Sequence, residues 1–146
     1  MSRPVLLDVN VLIALFEETH VHYQIAHDWF SDHRHRGWAT CPLTENGFVR
    51  IMSQPIVGRA TLQPSALTMH LRGFCSTTDH LFWPASLSLC DPSRFDLSAA
   101  PARHLTDIYL AGLAHANGGV FATFDRSIPI RPILGAPADL LEVIGP

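Results

Sequence analysis

The chain has 146 residues, 47% of them hydrophobic and 16% charged, which marks a compact globular chain and not a disordered one. Net charge is −3 with histidines neutral, so no global basic field advertises a nucleic-acid partner. All ten basic residues are arginine, and the absence of lysine removes Schiff-base chemistry and the phosphate-loop lysine together.

Pro4 to Leu7 reads as a short strand buried on both faces, and Val9 to Phe16 as a helix directly after Asp8. His20 to Phe30 carries Val21, Ile25, Ala26, Trp29 and Phe30 near helical period. Trp38 to Cys41 is a second strand, and Thr44 is the expected N-cap of a helix whose inward stripe is Phe48, Val49 and Met52. Pro55 and Gly58 mark a loop. Pro64 to Cys75 is a helix with Leu67, Leu71, Phe74 and Cys75 on one face, and His80 to Trp83 a strand stopped by Pro84. Asp91 to Pro101 is poorly defined. A helix over about His104 to Ala116 ends at Asn117-Gly118-Gly119, followed by strands at Val120–Phe124 and Leu140–Ile144.

Strands separated by helices predict one α/β domain over residues 1–146, with a central, mainly parallel sheet of four to five strands between helical layers. No apolar run reaches the roughly 18 residues of a membrane span, and no signal-peptide pattern precedes the first strand. Cys41, Cys75 and Cys90 are odd in number, widely spaced and without zinc-ligand pairing, which suits reduced thiols in a cytoplasm.

Four acids stand where apolar surface dominates. Asp8 ends Val5-Leu6-Leu7, Glu45 follows Trp38–Cys41, Asp107 lies within the pattern of the late helix, and Asp125 closes Val120–Phe124. An ionised carboxylate in such surroundings is costly unless paired. Two of them 4 Å apart repel by roughly 4 kcal/mol at an effective dielectric of 20. A hard divalent cation resolves that conflict, and an all-oxygen donor set favours magnesium or manganese over zinc. Each acid also has a plain structural reading. Asp8 can cap a helix, Glu45 and Asp107 can be first-turn charges, and Asp125 can be a turn residue. In a parallel sheet, however, all four can gather at the carboxyl ends of the strands.

Leu6-Leu7-Asp8-Val9-Asn10, Thr44-Glu45-Asn46-Gly47-Phe48, Leu105-Thr106-Asp107-Ile108-Tyr109 and Ala122-Thr123-Phe124-Asp125 resemble the four acidic motifs of PIN-domain nucleases. The likeness is strongest to the VapC toxins of type II toxin–antitoxin systems. It implies a three-layer α/β/α fold and a magnesium-dependent endoribonuclease in which manganese can substitute. It further implies a homodimer and a VapB-type antitoxin. By this resemblance Asp8 and Asp107 match the principal metal ligands, Glu45 the acid beside them, and Asp125 the fourth acid. Asn10 and Thr123 match auxiliary polar positions. Arg126-Ser127 stand after Asp125 where many relatives carry another acid, so one-metal and two-metal chemistry both stay open. Arg50 and Arg126, with Arg34, Arg36, Arg59 and Arg72, can form a phosphate-gripping rim. The contrasting reading is a catalytically degenerate PIN-like module that binds RNA or protein without cutting.

Overall fold

The computed structural model describes residues 2–145. Its elements are β1 (Val5–Leu7), α1 (Val9–Phe16), α2 (Tyr23–His33), β2 (Trp38–Thr40), α3 (Pro42–Met52), α4 (Pro64–Cys75), β3 (His80–Phe82), α5 (Leu105–Ala116), β4 (Val120–Thr123) and β5 (Leu141–Val143). The five strands form one sheet in the order β3-β2-β1-β4-β5, with every pairing parallel.

The strands are short and their alternation divides the core. Val5 and Leu7 of β1, Trp38 of β2, and Val120 and Ala122 of β4 face one layer, where α1 to α4 supply Leu12, Phe30, Phe48 and Leu67. Leu6, Ala39 and Phe121 face the other, against α5 and the segment carrying Phe95, Ile128 and Ile133. The result is the three-layer α/β/α arrangement expected, consistent with a PIN-like fold. Among the described residues, no helix is long and apolar enough to cross a membrane. Cys41, Cys75 and Cys90 are free thiols.

Boundaries moved where local hydrogen bonding outweighed hydrophobic period. The second helix starts at Tyr23 and not at His20, because Nδ1 of His20 accepts from the backbone N–H of His22 and shapes a turn there. Thr44 is not the N-cap of α3. Pro42 occupies the first turn and Cys41 the cap, while the Thr44 hydroxyl bonds back to the Cys41 backbone as the reciprocal member of a capping box. The end of α5 is a Schellman motif: Gly118 adopts φ +70°, its N–H reaches the His115 carbonyl, and Gly119 N–H reaches that of Ala114. The ill-defined stretch after Asp91 is in fact anchored. Phe95 is buried and pairs with Ile133, while the Asp91 and Asp96 side chains close local turns onto Ser93 and Ser98.

The aromatic residues of the helical layer pack inward. Phe30 is buried, Phe16, Trp29 and Phe74 pack against the same core, and Phe16 meets Phe48 edge to face.

Candidate functional site

Strand order reverses direction at β1: the chain first builds outward through β2 and β3, then returns to place β4 on the opposite side. The crevice between the carboxyl ends of β1 and β4 is therefore the topological switch point, where parallel sheets hold ligands. Asp8 is the residue after β1, and Thr123 is the last of β4. Because α5 leads into β4, its N-terminal turn returns to the same edge and brings Asp107 with it. Helix α3 leaves β2 at that edge, carrying Glu45 in its first turn.

Asp8 is the best-defined member. It is only 6% exposed and caps α1, with Oδ1 accepting from Val9 N–H at 2.7 Å. Its Oδ2 accepts from the Thr123 hydroxyl at 2.7 Å. Burial pushes its carboxyl up to about 6, and the charges of Asp107 and Asp125 push the same way. The bonds from Thr123 and Val9 oppose that rise without cancelling it.

Thr123 is the hub of this side. Besides donating to Asp8, its oxygen accepts from Asp125 N–H at 3.1 Å and from Asn10 Nδ2 at 3.4 Å. The Asn10 Oδ1 atom is buried with no hydrogen-bond partner among the described residues. Asp125 is held differently: the Ser127 hydroxyl and backbone N–H both donate to its Oδ1, keeping its carboxyl below the usual range. Exposed Arg103 and buried His104 add smaller pulls in the same direction.

His104 stands three residues before Asp107. It is 5% exposed, and its Nδ1 lies 3.3 Å from Oδ2 of Asp107. Its Nε2 has no partner among the described residues. Ligand atoms of His104, Asp107 and Asp125 lie within 4.8 Å of one another. The three acids Asp8, Asp107 and Asp125 thus share one electrostatic neighbourhood, with an imidazole at its edge.

Glu45 is turned elsewhere. Its Oε2 accepts from the Thr40 hydroxyl at 2.7 Å, and the same hydroxyl oxygen lies 2.8 Å from Nε2 of His80. Glu45, Cys75 and His80 form a second group whose ligand atoms lie within 4.8 Å of one another. Burial pushes the Cys75 thiol up to about 11, helped by the Glu45 charge, and burial also lowers His80 despite that charge. Beyond Glu45 a cleft of about 820 Å³ opens between α3 and α4, lined in part by Asn46, Arg72 and Cys75.

Half of the arginine rim is committed to other work. Arg34 pairs with Asp79, Arg36 with Glu142 and Arg59 with Glu17, so these three fasten elements together. Arg72 lines the cleft and Arg126 is exposed beside Asp125. Arg50 is exposed in the last turn of α3, about 7.5 Å along the helix from Glu45 and turned by roughly 140° from it.

The donor chemistry around Asp8 fits a hard cation. Three carboxylates face one crevice, the most buried is held partly against ionisation, and the orphaned Asn10 oxygen adds a neutral acceptor.

No family model matches this chain. It is similar to Ribonuclease VapC44 of Mycobacterium tuberculosis, 40% identical over 140 residues that cover 95% of this chain and 98% of that protein. Ribonuclease VapC39 of the same organism is likewise 40% identical over 140 residues, with the same coverage of both chains. Ribonuclease VapC38 is 36% identical over 144 residues, covering 95% of this chain and 99% of its own. Full-length likeness at this identity, on a parallel sheet with acids at its switch point, shows that the chain belongs to the VapC ribonuclease family.

Proposed function

We propose that this protein is a metal-dependent endoribonuclease toxin of a VapBC-type toxin–antitoxin system, hydrolysing RNA phosphodiester bonds and so inhibiting translation. The observation that carries this reading is the burial of Asp8 at the switch point with Asp107 and Asp125 near enough to raise its pKa. A fold does not spend stability on three mutually repelling acids without a compensating task. The names of its relatives supply the direction of that task.

Magnesium is the proposed cofactor, with manganese as substitute. Asp8, Asp107 and Asp125 would hold it, with Glu45 as a further ligand. When bound, such an ion supplies a lowered pKa for water and neutralisation of charge on phosphate oxygens.

The chain's own residues do the positioning. Val9 N–H and the Thr123 hydroxyl fix both oxygens of Asp8, so its orientation is set before any ligand arrives. The His104 imidazole braces Asp107. Asp8 and Asp107 sit at the N-terminal ends of α1 and α5, where helix dipoles favour negative charge, including an incoming phosphate. Arg72 stands on the cleft wall and Arg126 beside Asp125, both suited to gripping a strand's phosphates. Arg50, turned away from Glu45, would contact only an outlying part of the RNA. A splayed single strand or loop suits an open cleft better than a stacked duplex. A VapB-type antitoxin, a second copy of the chain and a cytoplasmic setting belong to the same proposal.

The test is cleavage of an RNA oligonucleotide by the purified chain with magnesium or manganese, then with chelator. Asp8→Asn and Asp107→Asn should each reduce cleavage by on the order of 100-fold or more, the loss of a few kcal/mol of charge stabilisation. Undiminished cutting by both variants would overturn the assignment. Metal-independent RNA binding without cleavage would instead support the degenerate binding module, for which Glu45 turned towards Thr40 is the favouring observation.

A further inference from the structure

Glu45, Cys75 and His80 come from α3, the last residue of α4 and the first of β3, yet their ligand atoms gather within 4.8 Å. Thiol, imidazole and carboxylate together are a donor set that zinc-class cations take, unlike the oxygen-rich set around Asp8. A tetrahedral ion of that class wants donors about 3.3–3.8 Å apart, given bond lengths of roughly 2.0–2.3 Å. Binding would draw the three donors together by about 1 Å. The outer support is already built. Thr40 has one hydroxyl proton and gives it to Glu45, while its oxygen bonds the His80 ring, and the Trp38 ring packs on His80 at 4.6 Å. Three protein donors leave a fourth position open, and two of the three, Glu45 and Cys75, also line the α3–α4 cleft.

We propose that Glu45, Cys75 and His80 form a second cation site, selective for a thiophilic divalent ion of the zinc class. An ion there fixes Glu45 on the Thr40 side and withholds it from the acids at the switch point. The site is therefore inhibitory, a consequence that rests on the ribonuclease reading, whereas the binding itself does not.

The test uses the full chain stripped of metal, with excess magnesium present to occupy the oxygen site. Cobalt(II) is the probe, because coordination by a thiolate gives an absorption band that oxygen ligation lacks. Wild type should show the band, and Cys75→Ser should abolish it. His80→Gln should weaken binding roughly tenfold or more, since even outer partners of metal ligands are worth that much. Asp107→Asn should leave the band in place, and far-UV circular dichroism establishes that each variant is folded. No band in wild type, or a band surviving in folded Cys75→Ser, overturns the site. In the RNA assay, an equivalent of zinc should suppress wild-type cleavage and spare Cys75→Ser. Equal suppression of both overturns the inhibitory link. Absence of any cleavage before zinc is added removes the ribonuclease reading, while the cobalt band still decides the site.

Discussion

The Thr123 hydroxyl donates to Oδ2 of Asp8 at 2.7 Å across 115 residues of sequence, joining the ends of β1 and β4 at the switch point. One side chain thereby aims the most buried acid and, through its own lone pairs, holds the Asp125 backbone and the Asn10 amide. Thr123→Val keeps the shape and removes every one of these bonds. It should cost about 1–3 kcal/mol at neutral pH by urea denaturation in chelator, because Asp8 loses a donor in a dry setting. It should also raise the Asp8 pKa further, visible as a shifted pH–stability curve. A variant as stable as wild type, with an unchanged curve, would contradict the role assigned to the hydroxyl.

Asp8 predicts an unusual pH dependence for the metal-free protein. Its folded-state pKa of about 6 lies above the ordinary value of 3.8, so the folded state binds a proton more tightly than the unfolded state does. That contribution is fully present below the unfolded pKa and is lost as pH rises through the folded one. Stability should fall between about pH 4 and pH 6 by up to roughly 3 kcal/mol from this residue. Asp8→Asn should flatten the curve and be the more stable protein at pH 7 in chelator. Parallel wild-type and variant curves, measured by chemical denaturation across that range, would refute it.

Divalent ions should reverse the penalty. A ligand at about 100 times its dissociation constant stabilises the folded state by about 2.7 kcal/mol, which for a chain of this size raises Tm by about 5–10 °C. Manganese should do this for wild type at pH 7.5 and far less at pH 5, where protons compete for Asp8. Asp8→Asn and Asp107→Asn should respond little. An equal response from Asp8→Asn would move the cation elsewhere.

Gly47 sets how closely α3 approaches α1. A Cβ built there would stand 2.8 Å from Cγ2 of Val9, the residue whose N–H holds Asp8. Gly47→Ala should destabilise by about 1–3 kcal/mol through overpacking, despite the better helix propensity of alanine. Val9→Ala in the same chain should recover most of that loss, a coupling a double-mutant cycle reads directly. Additive losses would show that the contact is not the cause.

Much of this architecture was legible because it follows local rules. The five strands, the helices between them and the acids at strand ends all come from short-range period and punctuation. Partners brought together by the fold alone were not. Nothing near Cys75 in the chain announces His80 as a fellow donor, because a turn, not a motif, closes the gap. The destinations of Arg34, Arg36 and Arg59 were equally invisible, since Asp79, Glu142 and Glu17 lie 45, 106 and 42 residues away. Glu45 shows the same limit at the site itself. Its position on α3 was readable, but the Thr40 hydroxyl that turns its carboxylate aside is itself engaged by His80, which the pairing of β2 with β3 brings alongside.

Parallel pairing of Val5 with Val120 and Leu7 with Ala122 has a temporal corollary. As the chain is made, β1 must wait until β2, β3 and α5 have been completed before β4, its neighbour at the crevice, exists. During synthesis Asp8 is already outside while Thr123 and Asp125 are still unmade or inside the exit tunnel. The acids can therefore gather only after β4 has taken its place beside β1, so the crevice is among the last parts of the fold to assemble.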